Sequence, residues 1–148
     1  MLVSAYAERA AKTDQQTVDL VLHQLVKSDY NIIVTSPEPT AIMDSYVVIK
    51  LLIENNSSAE RFVVINKCSD AEEGETAFMN LSVAVNHFLK KKIELLGFVS
   101  YEVAAHKSIM NQELLLKFNK DSKSADEIFH NAKRFITIAQ MANNNQSI

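Results

Sequence analysis

Three short apolar runs, separated by helical patterns, constrain the fold of this chain more than any other feature. They cover 31–35, 61–66 and 93–99 and are rich in Val, Ile, Leu and Phe. Runs that are nearly continuous in apolar residues are typical of parallel strands covered on both faces. Strands that alternate with helices form βαβ units. The sequence therefore predicts an α/β fold, in which a parallel sheet carries helices on both faces.

Helical periodicity accounts for most of the remaining sequence. Apolar residues repeat with a 3.6-residue period over Thr13–Lys27, and Thr13 with Gln16 forms a plausible capping box. Thr40 is the predicted N-cap of a largely buried helix, since two prolines around Glu38 oppose any earlier start. The other predicted helices cover Leu2–Lys12, Ala41–Glu54, Glu72–Lys90 and Glu102–Asn111.

A last amphipathic helix is predicted from Ser124, with Ser124 and Glu127 as a second capping box. Lys133 and Arg134 lie beside its apolar residues, which leaves a membrane-surface helix as an alternative. The apolar stripe has ordinary core width, which favours packing on the sheet. The predicted stripe consists of Ile128, Phe129, Ala132, Phe135, Ile136 and Ala139, and the polar tail 143–148 is expected to be disordered.

Length and composition narrow the class of protein. The 148 residues suggest a single domain, and a net charge of −3 argues against a general nucleic-acid surface. No stretch of 18 apolar residues occurs, and the N-terminus has no apolar core of signal-peptide length. Cys68 is the only cysteine, so a disulfide framework is excluded and a reducing, cytoplasmic location is expected.

Several common sites are absent from the sequence. The only glycines, Gly74 and Gly97, are isolated, and neither GxxxxGK[ST] nor GxGxxG occurs. The chain thus brings no glycine-rich phosphate loop of its own. Its four histidines fall on different predicted elements without i, i+4 spacing, so no metal site is predicted.

Polar residues follow each predicted strand. In open parallel sheets, ligands bind outside the carboxyl ends of the strands. Three segments should lie together at that edge: Ser36–Thr40, Asn66–Ser69 and Ser100–Glu102. This shared edge is the main candidate site.

Most of these residues have a structural interpretation beside the functional one. The Asn66 amide offers a donor and an acceptor that match the edge of adenine, but asparagine also closes turns. Glu38 could orient a water or pair with a cation, or it could be a solvated loop acid. Cys68 is better explained as an inert, partly buried thiol than as a nucleophile. The run Lys90–Lys92 complements a helix end, with a membrane or acidic-partner contact as the lesser alternative.

Residues 35–50, TSPEPTAIMDSYVVIK, closely resemble the TTPEPTAITDAYALIK segment of MinD-like ATPases. The resemblance is greatest to their flagellar-number regulator branch, FlhG (also FleN or YlxH). Residues 63–67 resemble that family's VVVNR, and Leu96–Val99 resembles its LGFIPED. Glu73–Gly74 with Phe78 and Leu81, and residues 108–112, follow further family segments, so the match spans about residues 28–140.

This resemblance implies a deviant P-loop fold that binds ATP between two subunits and holds adenine with its C-terminal half. Asn66 would face the adenine and Lys67 would lie beside it. Ser100, Tyr101 and Glu102, which stand where the family has PED, would complete the adenine-binding residues. A strand-end loop near the nucleotide would comprise Pro37, Glu38, Pro39 and Thr40.

The family's N-terminal half, with its Walker lysines, magnesium ligand and switch aspartates, has no counterpart in these residues. Phosphoryl transfer depends on positioning and neutralising phosphates, so no ATPase activity is expected from this chain alone. The resemblance implies a regulator of flagellar placement and number. ATP or ADP would be its ligand, with Mg²⁺ only alongside the missing half.

Its implied partners are flagellar assembly proteins, namely a FlhF-type GTPase and switch-complex proteins, together with a second copy of the chain. Peripheral contact with the inner membrane is also implied. The alternative is a non-enzymatic interaction module that has lost nucleotide binding. A third interpretation is a full ATPase whose missing half is supplied by another chain. The sequence leaves open whether this chain is a fragment, half of a split protein or a degenerate paralogue.

Overall fold

The computed structural model describes residues 15–119 and 121–145, which form three strands and the helices around them. The predicted Leu2–Lys12 helix, the Thr13 cap and residues 146–148 lie outside this part of the chain. The strands are β1 (Tyr30–Thr35), β2 (Glu60–Cys68) and β3 (Glu94–Ser100). The helices are α1 (Gln15–Val26), α2 (Pro39–Glu54), α3 (Ala71–Ala84) with a π-helical turn (Val85–Leu89), α4 (Val103–Met110), α5 (Leu115–Phe118) and α6 (Lys123–Asn145).

The three strands form one parallel sheet in the order β1-β2-β3. Alternate side chains separate into two core layers. Ile33, Val63 and Ile65 pack under α2 and α3, a side called here the α2/α3 face. Phe62, Val64 and Leu96 pack on the opposite side with residues of α6, called here the α6 face. The α/β class with helices on both faces is confirmed.

β2 extends two residues beyond its predicted end at Asn66. Lys67 adopts a left-handed backbone conformation with φ 61°, and the register shifts between Asn66 and Cys68. This bulge absorbs Lys67 and lets Cys68 pair with Ser100 of β3. The predicted end of this strand at Asn66 was therefore wrong, because a bulge leaves no signature in the hydrophobic pattern.

α2 begins earlier than predicted and is less buried. Pro39 occupies the first turn and Glu38 the N-cap position without a side-chain cap, so Thr40 is not the cap. Proline fits there because its fixed φ suits the first turn, where no N–H is needed. Only one side of α2 is buried, whereas Met43 and Val47 on the other side are 63% and 47% exposed.

The helix predicted over Glu72–Lys90 is α3 followed by the π-helical turn, and it ends with Lys90 in a left-handed conformation. The turn inserts one residue into the helical repeat and rotates everything after it. Val85 stays buried, but Phe88, which an uninterrupted 3.6-residue period would place on the same face, is 69% exposed. Lys90, Lys91 and Lys92 are exposed after it.

The predicted capping box at the start of α6 is also wrong. Ser122 caps this helix, since its Oγ accepts a hydrogen bond from the Ala125 N–H at 3.2 Å. Ser124 and Glu127 instead bond the end of β3 and the residues after it. A capping box predicted from sequence spacing cannot account for tertiary partners that offer better geometry.

α6 packs on the sheet as expected, but with a different stripe. Phe135 and Ile138 contact the α6 face of the core. Phe129 and Ile136 of the predicted stripe are 52% and 53% exposed. The helix is rotated because its polar residues bond the edge of β3, as described below. It continues to Asn145 and so includes the first residues of the predicted tail.

Candidate functional site

The carboxyl ends of the strands bring together all three polar segments predicted for the site. β1 ends before Ser36, β2 ends at Cys68 and β3 ends at Ser100, in adjacent parallel strands. The backbone N–H of Tyr101 donates to the Cys68 carbonyl at 2.8 Å, which joins two of the segments directly. The shared edge predicted from sequence is confirmed.

Asn66 and Lys67 form the bulge at the end of β2. The Asn66 side-chain Oδ1 accepts a hydrogen bond from the Lys67 backbone N–H at 2.8 Å. This contact supports the left-handed backbone of Lys67 and corresponds to the turn-closing role. The Asn66 Nδ2 group makes no hydrogen bond with the described residues, and an amide oxygen has a second lone pair. A donor and an acceptor thus remain for a ligand.

Two of the predicted base-binding residues hold α6 in place. The Ser100 N–H and Oγ both donate to the Glu127 carboxylate, at 2.6 and 2.8 Å. Glu102 accepts from the backbone N–H groups of Lys123 and Ser124, and from the Ser124 hydroxyl. These two carboxylate contacts fasten the start of α6 to the site edge.

The electrostatics of Glu102 follow from these bonds. The hydrogen bonds from the Ser124 hydroxyl and backbone lower the pKa of Glu102 below its ordinary value. The group is therefore ionised at neutral pH. Tyr101, between the two engaged residues, is 63% exposed.

The loop Pro37–Thr40 borders an open cleft of about 360 Å³. Of the predicted site residues, only Pro37 lines it; acidic residues at the start of α3 line the other side, among them Asp70, Glu72 and Glu73. Asp70 caps α3 by accepting from the Glu73 N–H, and Glu73 accepts in turn from Ser69. The cleft carries the wrong charge for a phosphate.

Cys68 is 2% exposed, and its Sγ lies 3.3 Å from the Ile65 carbonyl. Burial, reinforced by the charge of Glu73, raises the pKa of the thiol. A raised pKa and the absence of access oppose a nucleophilic role. The prediction of an inert thiol agrees with this environment.

Two buried polar residues at the opposite end of the sheet were missed by the sequence analysis. Asn31 bonds Ser28 and the Leu25 carbonyl. The Arg61 guanidinium donates to the Ser57 carbonyl at 2.7 Å, while its Nε has no partner in the described residues. Burial lowers the pKa of Arg61. The one available signal was their inward position in the alternating pattern of each strand.

The histidines are dispersed and exposed, as the sequence predicted, on α1, the π-helical turn, α4 and α6. In the described part of the chain, no group of three or more His, Cys, Asp or Glu residues is arranged to hold a metal ion. None of the described helices is long and apolar enough to cross a membrane.

Two flagellar regulators match the chain in sequence. The antiactivator FleN of Pseudomonas aeruginosa is 27% identical over 94 residues, which are 64% of this chain and 34% of FleN. The flagellum site-determining protein YlxH of Helicobacter pylori is 30% identical over 105 residues, 68% of this chain and 35% of YlxH. This chain is homologous to the FleN and YlxH flagellar regulators. The homology covers about two-thirds of it, and the chain spans about a third of each relative's length.

No protein-family model matches the chain. Solved structures nevertheless share the fold. The cell-division ATPase MinD of Pyrococcus furiosus superposes with a TM-score of 0.59 at 16% identity, over 76% of this chain and 44% of MinD. MinD of Aquifex aeolicus gives 0.57 at 20% identity, over 76% and 46%. A plasmid partition protein of Borrelia burgdorferi, solved with AMPPNP, gives 0.55 at 19%, over 76% and 42%. The fold of this FleN homologue is therefore of the MinD/ParA type, and the partial coverage fits one half of that fold.

Proposed function

We propose that this chain acts in the control of flagellar number or placement and binds the adenine base of ATP or ADP at the ends of β2 and β3. Homology to FleN and YlxH supports the first part. The second part is carried by one observation: the unused hydrogen-bonding groups of Asn66 lie at the same strand-end edge as the exposed ring of Tyr101.

Each residue has a distinct role in this proposal. Asn66 pairs with the Watson–Crick or Hoogsteen edge of the base through its free Nδ2 and the second lone pair of Oδ1. Tyr101 offers a ring face on which the base stacks. Lys67 is exposed beside Asn66 and can approach the ribose or an α-phosphate. Ser100 and Glu102 act indirectly, because they are bonded to α6 and fix the edge on which Tyr101 lies.

The residues of this chain offer few groups that could bind or hydrolyse the phosphates of a nucleotide. The 148 residues contain no P-loop sequence, and the cleft beside Pro37 is acidic. We therefore propose that the chain alone hydrolyses no appreciable ATP. Magnesium should leave nucleotide affinity unchanged, since the base would supply the contacts. The FlhF-type GTPase, the switch-complex proteins and a peripheral membrane location remain predictions that follow from the family.

Titration with a fluorescent ATP or ADP analogue tests the base site. Asn66→Ala removes both free groups, and about tenfold weaker binding is expected for the loss of a hydrogen-bonded pair. Asn86→Ala is the matched control, because Asn86 is an exposed asparagine in the π-helical turn, near the amino ends of the strands. Equal affinity of the two variants, or no binding by the natural chain, would contradict the nucleotide proposal.

A second candidate is the non-enzymatic interaction module, and one observation favours it. Ile109, Met110 and Leu114 of the α4–α5 region are each more than 70% exposed. Large apolar side chains that are this exposed and close together in the chain are candidates for a protein contact surface. This function would be favoured over the first if the chain binds no nucleotide and if cells that carry Ile109→Ser lose normal control of flagellar number.

A further inference from the structure

The π-helical turn after α3 brings an aromatic ring to the surface beside a run of lysines. Val85 at its start is buried and Leu89 at its end packs on the core, yet Phe88 between them is 69% exposed. Single π-helical turns within α-helices are rare and are often found at functional sites. The surface around Phe88 is therefore a candidate for function.

Phe88 belongs to a larger apolar surface. Its ring meets Tyr46 of α2 edge-on, with the ring centroids 6.5 Å apart, and meets His87 at 4.7 Å. Met79 and Val83, one turn apart on the outward side of α3, are 58% and 62% exposed. Phe88 follows about one turn later. Met79, Val83 and Phe88 are called here the apolar strip.

Three exposed lysines, Lys90–Lys92, follow the apolar strip and are called here the lysine run. None of them forms an ion pair with a residue in the described part of the chain. No Asp or Glu occurs between Glu75 and Glu94, although the whole chain contains 18 acidic residues. The end of the helix is therefore locally positive on a chain whose net charge is −3.

Lys90 stands where the backbone favours a different residue. Its φ of 53° is left-handed, a conformation that helices usually end on with glycine. A side chain at this position strains the backbone, and residues held in this way are concentrated at binding sites. Lysine at position 90 thus costs stability relative to glycine, and the gain it brings is a charge at the surface.

The apolar strip and the lysine run lie on the β2–β3 side of the sheet. α3 packs on β2 and β3, whereas α1, through which the described chain begins, packs against α2 on the β1 side. The lysine run comes directly before β3, at the amino ends of the strands. It is therefore separate from the candidate nucleotide edge and from the exposed residues of α4 and α5, which follow the carboxyl end of β3.

The arrangement of charges favours a protein segment over a membrane. A helix that binds an anionic membrane surface carries its lysines and arginines alongside its apolar face. α3 contains no basic residue, and it contains the acidic residues Glu72, Glu73 and Glu75. The positive charge lies at one end only, in line with the apolar strip over about 15 Å of helix. A linear peptide matches this order of groups.

We propose that the apolar strip and the lysine run bind a linear acidic segment of a partner protein. Apolar side chains at one end of the segment lie on the strip, and Phe88 is the central contact. Carboxylates at the other end of the segment meet the lysine run. Exposed aromatic side chains and complementary charges are the features that supply affinity and orientation in such interfaces. This inference is independent of nucleotide binding.

Fluorescence anisotropy with the whole chain tests the proposal. The probe is a labelled synthetic peptide of about twelve residues, with leucine and phenylalanine in one half and glutamates in the other. It should bind, and its affinity should fall as the salt concentration rises. A peptide with lysines in place of the glutamates is the matched probe and should not bind.

Substitutions locate the binding surface. Phe88→Ser and Lys91→Glu should each weaken binding of the acidic peptide by about tenfold or more. Phe129→Ser and Lys117→Glu make the same changes at an exposed phenylalanine and an exposed lysine elsewhere, and they should leave binding unchanged. Circular dichroism establishes that each variant is folded.

Lys90→Gly separates binding from folding. It relieves the left-handed backbone, so the melting temperature should rise, while loss of one charge should weaken peptide binding by about threefold. Unchanged affinity in both Phe88→Ser and Lys90→Gly would overturn the proposal, and so would equal weakening by Lys117→Glu. It would also be overturned if the acidic peptide fails to bind, whether or not the chain binds phosphatidylglycerol vesicles through Phe88.

Discussion

Gly97 lies where α6 approaches β3 most closely, and replacing it tests that contact. A Cβ atom at this position would lie 1.9 Å from Oδ1 and 2.7 Å from Cγ of Asn131. The backbone of Gly97 has a negative φ, so the requirement for glycine here is one of space and not of conformation. Gly97→Ala must therefore displace the Asn131 amide from its bond to the Phe98 carbonyl.

The magnitude combines three effects. Loss of the Asn131 hydrogen bond costs about 1 kcal/mol. Forcing extra volume into a closely packed contact costs about 1–3 kcal/mol. Replacing glycine by alanine recovers about 0.4–1 kcal/mol through the unfolded chain. A net loss of about 1–3 kcal/mol in the free energy of unfolding is expected for Gly97→Ala.

A double-mutant cycle isolates this contact. In the Asn131→Ala background the obstructing amide is gone, so Gly97→Ala should cost close to nothing or stabilise slightly. The coupling between the two positions should be about 1–3 kcal/mol, measured by urea unfolding followed by circular dichroism. The reasoning would be refuted if Gly97→Ala lowered the free energy of unfolding equally in the natural chain and in Asn131→Ala, because the strain would then arise elsewhere.

Two further predictions concern other contacts. The pKa of Glu102 is lowered in the folded chain, so this carboxylate stabilises the fold above its ordinary pKa of 4.5, and the stabilisation is lost as the pH falls through the lowered pKa. Glu102→Gln should remove this part of the pH dependence of stability. Melting temperatures that fall equally with acid in the natural chain and in Glu102→Gln would contradict the prediction. Leu81→Ala should lose about 2–5 kcal/mol because Leu81 is fully buried, whereas Met79→Ala on the exposed side of α3 should change stability by less than about 0.5 kcal/mol by the same unfolding assay.

The strand positions and the site edge could be predicted because their signals are local. Each strand is an almost continuous apolar run, and burial between two helical layers requires that composition. Parallel direction then places the carboxyl ends together, so Asn66 and Tyr101 were assigned to one edge from the order of elements alone. The family segments near Pro37 and Leu96 lie in this locally encoded part of the chain.

The free groups within that edge could not be predicted. Ser100 and Glu102 appear as available in the sequence, yet both are bonded to α6, more than twenty residues away. Whether a polar side chain is free to bind a ligand depends on which residues, distant in sequence, the fold packs against it. The same reason explains the misassigned caps of α2 and α6.

The sequence by itself determined the alternation of strands and helices and the parallel sheet, because periodicity and residue type encode them along the chain. Only the tertiary structure decided which face of α6 packs, where the π-helical turn exposes Phe88, and which α6 side chains bond β3. These features depend on the rotation and spacing of helices against the sheet. Small displacements of a helix exchange its buried and exposed positions, and no local pattern records them.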